Sequence, residues 1–199
     1  MDTLIFATNN QKKVDEVRQV LGNLFKIVTL KEAGIDIDIP EPHNTLEANA
    51  TEKSTTIFNL TGKNCFSEDT GLEVAALNGE PGVRSARYSG DGGLVEHNIQ
   101  KLLGNLEGVT NRQARFKTII SLMLDGREIL FEGICDGEII MKERGQSGFG
   151  YDPVFVPTGS QSAFGEMTLA EKSVFSHRRK AMDKLIEFLS TMADHCNEV

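Results

Sequence analysis

The sequence predicts an α/β protein with a mixed β-sheet, folded as two lobes around a cleft. Three observations predict it. Near the start, short apolar runs alternate with a helical period, the opening of a βαβ unit. From residue 114 the apolar spacing changes to two, which reads as long hairpin strands. Glycine-rich loops and helix-start signals separate these stretches, with no internal repeat and no low-complexity linker.

Residues 3–7 (TLIFA) form an apolar run consistent with a buried strand, which stops at Thr8-Asn9-Asn10. A helix follows, with Val14, Val17, Val20 and Leu21 on one face and Gly22 as its stop. Residues 25–30 (FKIVTL) read as a second strand. Residues 33–44 hold Pro40 and Pro42 and read as a loop. Asn44 and Glu47 have capping-box spacing before a helix over 45–60. CFSED at 65–69 reads as a strand end, 78–93 as an irregular glycine-rich loop, and 94–106 as a helix with Leu94, Ile99, Leu102, Leu103 and Leu106 apolar.

Phe116, Thr118, Ile120, Leu122 and Leu124 then share one face of a long strand. Asp125-Gly126 predicts a hairpin turn, with Ile129, Phe131 and Gly133 on the return strand. Asp136-Gly137 suggests a second turn. Residues 147–157 (SGFGYDPVFVP) are glycine-rich, then apolar. Thr168 with Glu171 makes a capping box before a short helix. Ser176 is the expected N-cap of a final helix whose apolar face includes Met182, Leu185, Ile186 and Leu189.

Length and composition narrow the function classes. The 199 residues suit one large domain or two intimately packed lobes, with no need for disulfide staples. At 39% hydrophobic and 25% charged the chain reads as a soluble globular protein. It has no apolar run of about eighteen residues to span a membrane. The start MDTLIFATNN lacks a basic region followed by a long apolar stretch, so no signal peptide is expected. Cys65, Cys135 and Cys196 are too scattered for a metal motif and read as thiols of a reducing cytoplasm. A net charge of -8 argues against general nucleic-acid binding but not against a small nucleotide, which responds to local charge.

Four segments carry candidate chemistry. ATNNQKK at 7–13 lies where a strand gives way to a helix, so backbone N–H groups and the helix dipole favour an anion there. Thr8 and Asn10 can donate hydrogen bonds and Lys13 adds charge; a plain helix cap with solvent-facing lysines is the alternative. No GxxxxGK[ST] phosphate loop is present. In SEDTGLEV at 67–74, Glu68 and Asp69 are oxygen ligands of the kind magnesium takes. Neighbours on a strand face opposite ways, so both reach one ion only if the strand bends or ends; an ordinary acidic turn is the alternative. In SGFGYDP at 147–153, Phe149 or Tyr151 could stack on a base, and Asp152 could bond to it or cap the loop. In EKSVFSHRRK at 171–180, basic residues crowd a helix start, where the dipole does not favour them. A phosphate would explain them, as would a solvated charged face. Serine-triad, HExxH and cysteine–histidine zinc patterns are absent.

Taken in order, TNNQKK, SEDTGLEV, PGVRSARYSG at 81–90, GFGYDPVFVP and MTLAEKSVFSHR at 167–178 resemble the successive signatures of one family. It is the inosine triphosphate pyrophosphatase family, also called HAM1-like or XTP/dITP diphosphatase, and the resemblance covers nearly the whole chain. It implies an elongated mixed sheet with helices, residues 1–199 forming a single domain of two lobes with the active site between them, and a homodimer. The implied reaction is magnesium-dependent hydrolysis of ITP, XTP and dITP to the monophosphate and pyrophosphate.

The resemblance also implies roles by position. Thr8, Asn9, Asn10, Gln11, Lys12 and Lys13 match the triphosphate-binding segment. Glu41 and Glu68 match acidic positions that serve the metal. Asp69 matches the catalytic carboxylate, a proton acceptor and magnesium ligand, with Thr70 a substrate contact beside it. Phe149, Gly150, Tyr151 and Asp152 match the base pocket; Lys172, His177 and Arg178 match further substrate contacts. Lys53 and Arg87 are additional candidates. Two positions depart from many members: Asn9 stands where Gly is common, tolerable if the turn is left-handed, and Glu68 stands where some have Asp. The rival readings are a Maf-type pyrophosphatase of modified pyrimidine triphosphates, a silent nucleotide-binding protein and an acidic interaction module. The SHR segment and the GFGYDP loop argue against the first, and Asp69, Lys13 and Lys172 against the second; metal-dependent turnover discriminates the third.

Overall fold

The structure, a computed structural model, describes residues 3–21, 25–90 and 94–196, with 192–196 described as backbone only. The helix stop expected at Gly22 lies outside them. The chain forms two compact units: Met1–Asp69 with Thr118–Gly133 and Arg178–Val199, and Thr70–Lys117 with Ile134–His177.

The first unit holds β1 (Thr3–Phe6), α1 (Gln11–Leu21), β2 (Lys26–Thr29) and α2 (Leu46–Thr61), followed by the start of β3 (Cys65–Val74). The far half of β5 (Gln113–Leu124), the near half of β6 (Arg127–Ile139) and α5 (His177–Cys196) complete it, α5 from Arg178 onward. β1 pairs in parallel with β2 (Leu4 opposite Ile27) and with β3 (Ile5 opposite Cys65), and the sheet order is β2-β1-β3-β5-β6. A strand with parallel neighbours is covered on both faces and so reads as a continuous apolar run. Alternate residues of β1 accordingly enter different cores. Leu4 and Phe6 pack with Val14, Val17 and Leu21 of α1 and Met182 and Leu185 of α5, and the Phe6 and Phe66 rings stack at 4.4 Å. Ile5 and Ala7 pack on the opposite side with Leu30, Ile57 and Met123. β5 shows the same double cover. The period-two face expected from Phe116 to Leu124 holds at its start, but Ile119, Ser121 and Met123 on the other face are buried too.

Asp125 (φ 49°) and Gly126 (φ 79°) are both left-handed, the turn that joins twisted strands as a tight hairpin. α2 begins one residue later than its sequence signal: Thr45, not Asn44, is the cap, its hydroxyl accepting from the Ala48 N–H at 3.2 Å.

The second unit contains the end of β3, β4 (Pro81–Gly82), α3 (Val95–Asn105), the near half of β5, the end of β6, β7 (Phe155–Pro157) and α4 (Leu169–Phe175). β4 pairs antiparallel with β3, and β7 antiparallel with β6. Its core joins Leu72, Ile99, Leu102, Phe116, Ile139, Phe155 and Phe164. Two expectations change here. The loop over 78–93 contains β4. Asp136-Gly137 is no turn, because β6 runs through it to Ile139. Gly137 faces Pro157 across the β6–β7 ladder, and a Cβ there would collide with the Val156 carbonyl and the Phe155 ring. The glycine answers a close backbone approach, not a reversal of the chain.

Candidate active site

The first unit gathers its ionisable groups around the start of α1 and the middle of β3. Between β1 and α1 the chain is held by one bond to β3 and by local bonds. The Ala7 N–H donates to the Phe66 carbonyl (2.8 Å), and the Thr8 hydroxyl accepts from the Asn10 N–H (3.1 Å). Asn10 caps the helix, its Oδ1 accepting from the Lys12 (3.1 Å) and Lys13 (3.3 Å) N–H groups. Asn9, Asn10, Gln11 and Lys12 are exposed, and the Gln11 amide bonds to Asp15 at 2.8 Å. Asn9 is not left-handed; among the described non-glycine residues only Asn78 and Asp125 have positive φ. The asparagine therefore needs no glycine-like freedom there.

β3 does not end at Glu68-Asp69 but continues to Val74. The two carboxylates consequently face opposite sides of the strand. Glu68 turns toward α1 and α5. Its Oε1 receives the Arg178 Nη2 at 2.7 Å and lies 3.1 Å from the Lys13 ammonium, and its Oε2 receives the Arg178 Nε. The third corner of this guanidinium, Nη1, donates to Glu16. Arg178 is only 2% exposed and Glu68 equally so. Burial works against the arginine's charge, but Glu68 and Glu16 outweigh it and hold the proton more tightly than usual.

Asp69 turns toward α2. Its Oδ1 receives the Lys53 ammonium at 3.1 Å, and that ammonium also donates to the Glu68 carbonyl (2.9 Å) and to the Glu41 carboxylate. All three ammonium protons are used, as a buried lysine requires. Burial lowers the affinity of Lys53 for its proton, yet Asp69 and Glu41 raise it above the usual lysine range. Asp69 is shifted upward, first by burial, with Lys53 and Lys13 opposing and Glu41 adding to the rise. Glu41 and Asp69 thus already converge on one cation, while Glu68 is engaged elsewhere. Among the described residues no three His, Cys, Asp or Glu side chains cluster closely enough to hold a metal by themselves. Magnesium asks less, taking one or two carboxylates and completing its shell with water and substrate phosphates. The Glu41–Asp69 pair fits that demand better than a set including Glu68.

The second unit builds a separate cluster on the GFGYDP loop and α4. Asp152 is buried, and its Oδ2 accepts from the Phe149 N–H and from the Lys172 ammonium, both at 2.8 Å. The aspartate therefore caps its own loop. Lys172 lies 4.9 Å from the Phe149 ring centre and 5.3 Å from that of Phe164. It is presented by α4, whose capping box at Thr168 and Glu171 forms as the spacing predicts. Tyr151 is buried and its hydroxyl donates to the Ser85 carbonyl at 2.8 Å, whereas Phe149 is half-buried. Gly150, Thr70 and Arg87 are half-buried. The buried His177 ring stacks on Phe116 at 4.7 Å.

The structure thus unites Lys13, Glu41, Lys53, Glu68, Asp69 and Arg178 in one unit, and Phe149, Tyr151, Asp152 and Lys172 in the other. The chain passes between the units at 69–70, 117–118, 133–134 and 177–178. Sequence reasoning missed Glu16, the second partner of Arg178, and Asn49, a buried amide on α2. Asn49, Lys53 and Ser54 interrupt the apolar face set by Leu46, Ala50 and Ile57. Polar residues at helical spacing on a buried face were the available signal.

A mixed α/β chain with a lysine-bearing helix start, a buried and a half-buried carboxylate facing one cation and a lysine–aspartate loop has the parts of a nucleotide-polyphosphate enzyme. A profile of the Ham1 family matches residues 4–188, and the chain belongs to that family. It is 46% identical over 187 residues to the dITP/XTP pyrophosphatase of Christiangramia forsetii, covering 94% of this chain and 98% of that one. It is 45% identical to the dITP/XTP pyrophosphatase of Porphyromonas gingivalis over 190 residues, with 95% and 98% covered. The solved structure of the Staphylococcus aureus Ham1 protein superposes with a TM-score of 0.88 at 36% identity, over 96% of this chain and 100% of that one.

Proposed function

We propose that this protein is a nucleoside triphosphate pyrophosphatase that hydrolyses the non-standard purine nucleotides dITP, XTP and ITP to the monophosphate and pyrophosphate. The names of its Ham1 relatives support this substrate class over modified pyrimidines. The observation that carries the chemistry is the convergence of Asp69 and Glu41 on a single buried cation, beside the lysine of the α1 start.

In this reading water attacks the α-phosphorus, a new P–O bond forms, the α–β bridging bond breaks, and pyrophosphate leaves. Asp69 accepts the proton of the attacking water. Asp69 and Glu41 would hold the magnesium, which when bound would neutralise phosphate charge and acidify water. Lys13 and the first turn of α1, with Thr8, Asn9, Asn10, Gln11 and Lys12, receive the phosphate tail. Arg178 and Glu68 hold Lys13 in place from behind. Thr70, Phe149, Gly150, Tyr151, Asp152, Lys172 and His177 serve the rest of the nucleotide, Phe149 by stacking. A 6-oxo purine accepts hydrogen bonds where adenine would leave donors unpaired, a difference large enough to select.

We also propose a homodimer and a cytoplasmic location. The family resemblance supports the first, and the scatter of Cys65, Cys135 and Cys196 along the sequence, with no metal motif, supports a reducing compartment for the second. No helix among the described residues is long and apolar enough to cross a membrane. Hydrolysis in 18O-labelled water tests the bond cleaved. Label in the monophosphate supports attack at the α-phosphorus, and label in pyrophosphate contradicts it. In the same assay Asp69→Asn is expected to lose several orders of magnitude in rate while remaining folded.

A further inference from the structure

Asn49 is fully buried on α2, a helix interior where asparagine is a poor choice. Its side chain is nevertheless fully employed. Oδ1 accepts from the His43 N–H at 2.9 Å, and Nδ2 donates to the His43 carbonyl at 3.2 Å. These two backbone partners, one donor and one acceptor, also fix which end of the amide is which. Nδ2 reaches the Asp69 Oδ2 as well, at 3.5 Å, while Oδ1 of that aspartate faces Lys53 one helical turn on. His43 lies two residues beyond Glu41, across Pro42, in a segment without strand or helix. A loop with no ladder of its own depends on such side-chain bonds for its place.

We propose that Asn49 is a positioning residue. It fastens the loop that carries Glu41 to α2 and orients the Asp69 carboxylate, and so sets the separation of the two oxygens offered to the metal. The inference rests on the assignment of Glu41 and Asp69 as the cation-holding pair. Outer partners of this kind typically change metal affinity or activity by about 10- to 100-fold.

The test compares the parent with Asn49→Ala, which deletes the amide, and Asn49→Asp, which keeps the acceptor for His43 but loses the donor and adds a charge beside Asp69. Three quantities are read: Mn2+ affinity of the nucleotide-free protein by electron paramagnetic resonance, the Mg2+ concentration for half-maximal pyrophosphate release from XTP, and amide exchange over residues 41–45. The expected result is a cooperative thermal transition in both variants and faster exchange confined to 41–45. Mn2+ affinity falls and the Mg2+ requirement rises by the same factor, about 10-fold or more, with the KM for XTP at saturating Mg2+ within about twofold of the parent. Mn2+ affinity within twofold of the parent in the folded Asn49→Asp variant overturns the inference, as does an equal rate loss at every metal concentration. If the parent itself hydrolyses XTP without any metal requirement, the cation-site reading falls first and this inference with it.

Discussion

Replacing Arg178 with methionine isolates the consequence of burying Glu68. In the native chain the guanidinium is 2% exposed, Glu68 is 0% exposed at its side chain and Glu16 is 12% exposed. Methionine fills most of the volume but supplies none of the donors that meet these two carboxylates. Removing one partner of a buried pair costs about 3–5 kcal/mol, because the other charge loses its compensation; Lys13, 3.1 Å from Glu68 and 17% exposed, offsets only part of that loss. For a chain of this size each kcal/mol moves the melting temperature by roughly 2–4 °C. The expected loss is therefore roughly 6–20 °C at neutral pH.

The sign with pH follows from linkage. A stranded, buried carboxylate has a folded-state proton affinity raised above that of the unfolded chain, about 4.3 for a glutamate. Its neutral form suits the core, so the handicap is smallest below that value and grows as pH rises through the raised one. Thermal melts of parent and variant at pH 5, 6, 7 and 8 should show a gap that widens with pH. Adding Glu68→Leu to Arg178→Met should restore part of the loss, since the charge left behind is then gone. A single-variant loss under about 1 kcal/mol at pH 7, or a gap that does not change with pH, would refute the account of Glu68 as a charge kept in the core by Arg178.

Two further outcomes test the packing. Gly137→Ala should lose about 1–3 kcal/mol in urea unfolding, because its methyl meets the Val156 carbonyl and the Phe155 ring; an unchanged midpoint would mean that β6 and β7 can separate freely. Burial pushes the Cys65 thiol up to about 12 from an ordinary value of 9.0, so its neutral form stabilises the fold below pH about 9, and that contribution drains away as pH climbs toward 12. Melts between pH 8 and 10.5 should show this alkaline decline in the parent, and a Cys65→Ala variant should show less of it.

Much of the fold was legible because it rests on local rules. The apolar run of β1, the spacing of Val14, Val17 and Leu21, the Asp125-Gly126 turn and the Thr168–Glu171 box all follow from short-range chemistry. What failed depended on distant partners. Gly137 looks like a turn residue until Pro157 is seen across from it, and Glu68-Asp69 looks like a strand end until β3 is seen to continue. The candidate site shows the same division. The motifs marked Lys13, Asp69, Asp152 and Lys172, but they could not show that Glu68 belongs to Arg178 and Asp69 to Lys53. Strand alternation separates those neighbours, and that assignment needs the strand's full length. Glu16 and Asn49 carry no motif at all; their importance comes from contacts with Arg178 and with the His43 backbone.

The most direct measurement of the central claim is pyrophosphate release from dITP, XTP, ITP, ATP and GTP, each with and without Mg2+. The account predicts strong metal-dependent release from the first three and little from ATP or GTP. Orthophosphate as the product, or equal turnover of ATP and GTP, would contradict it.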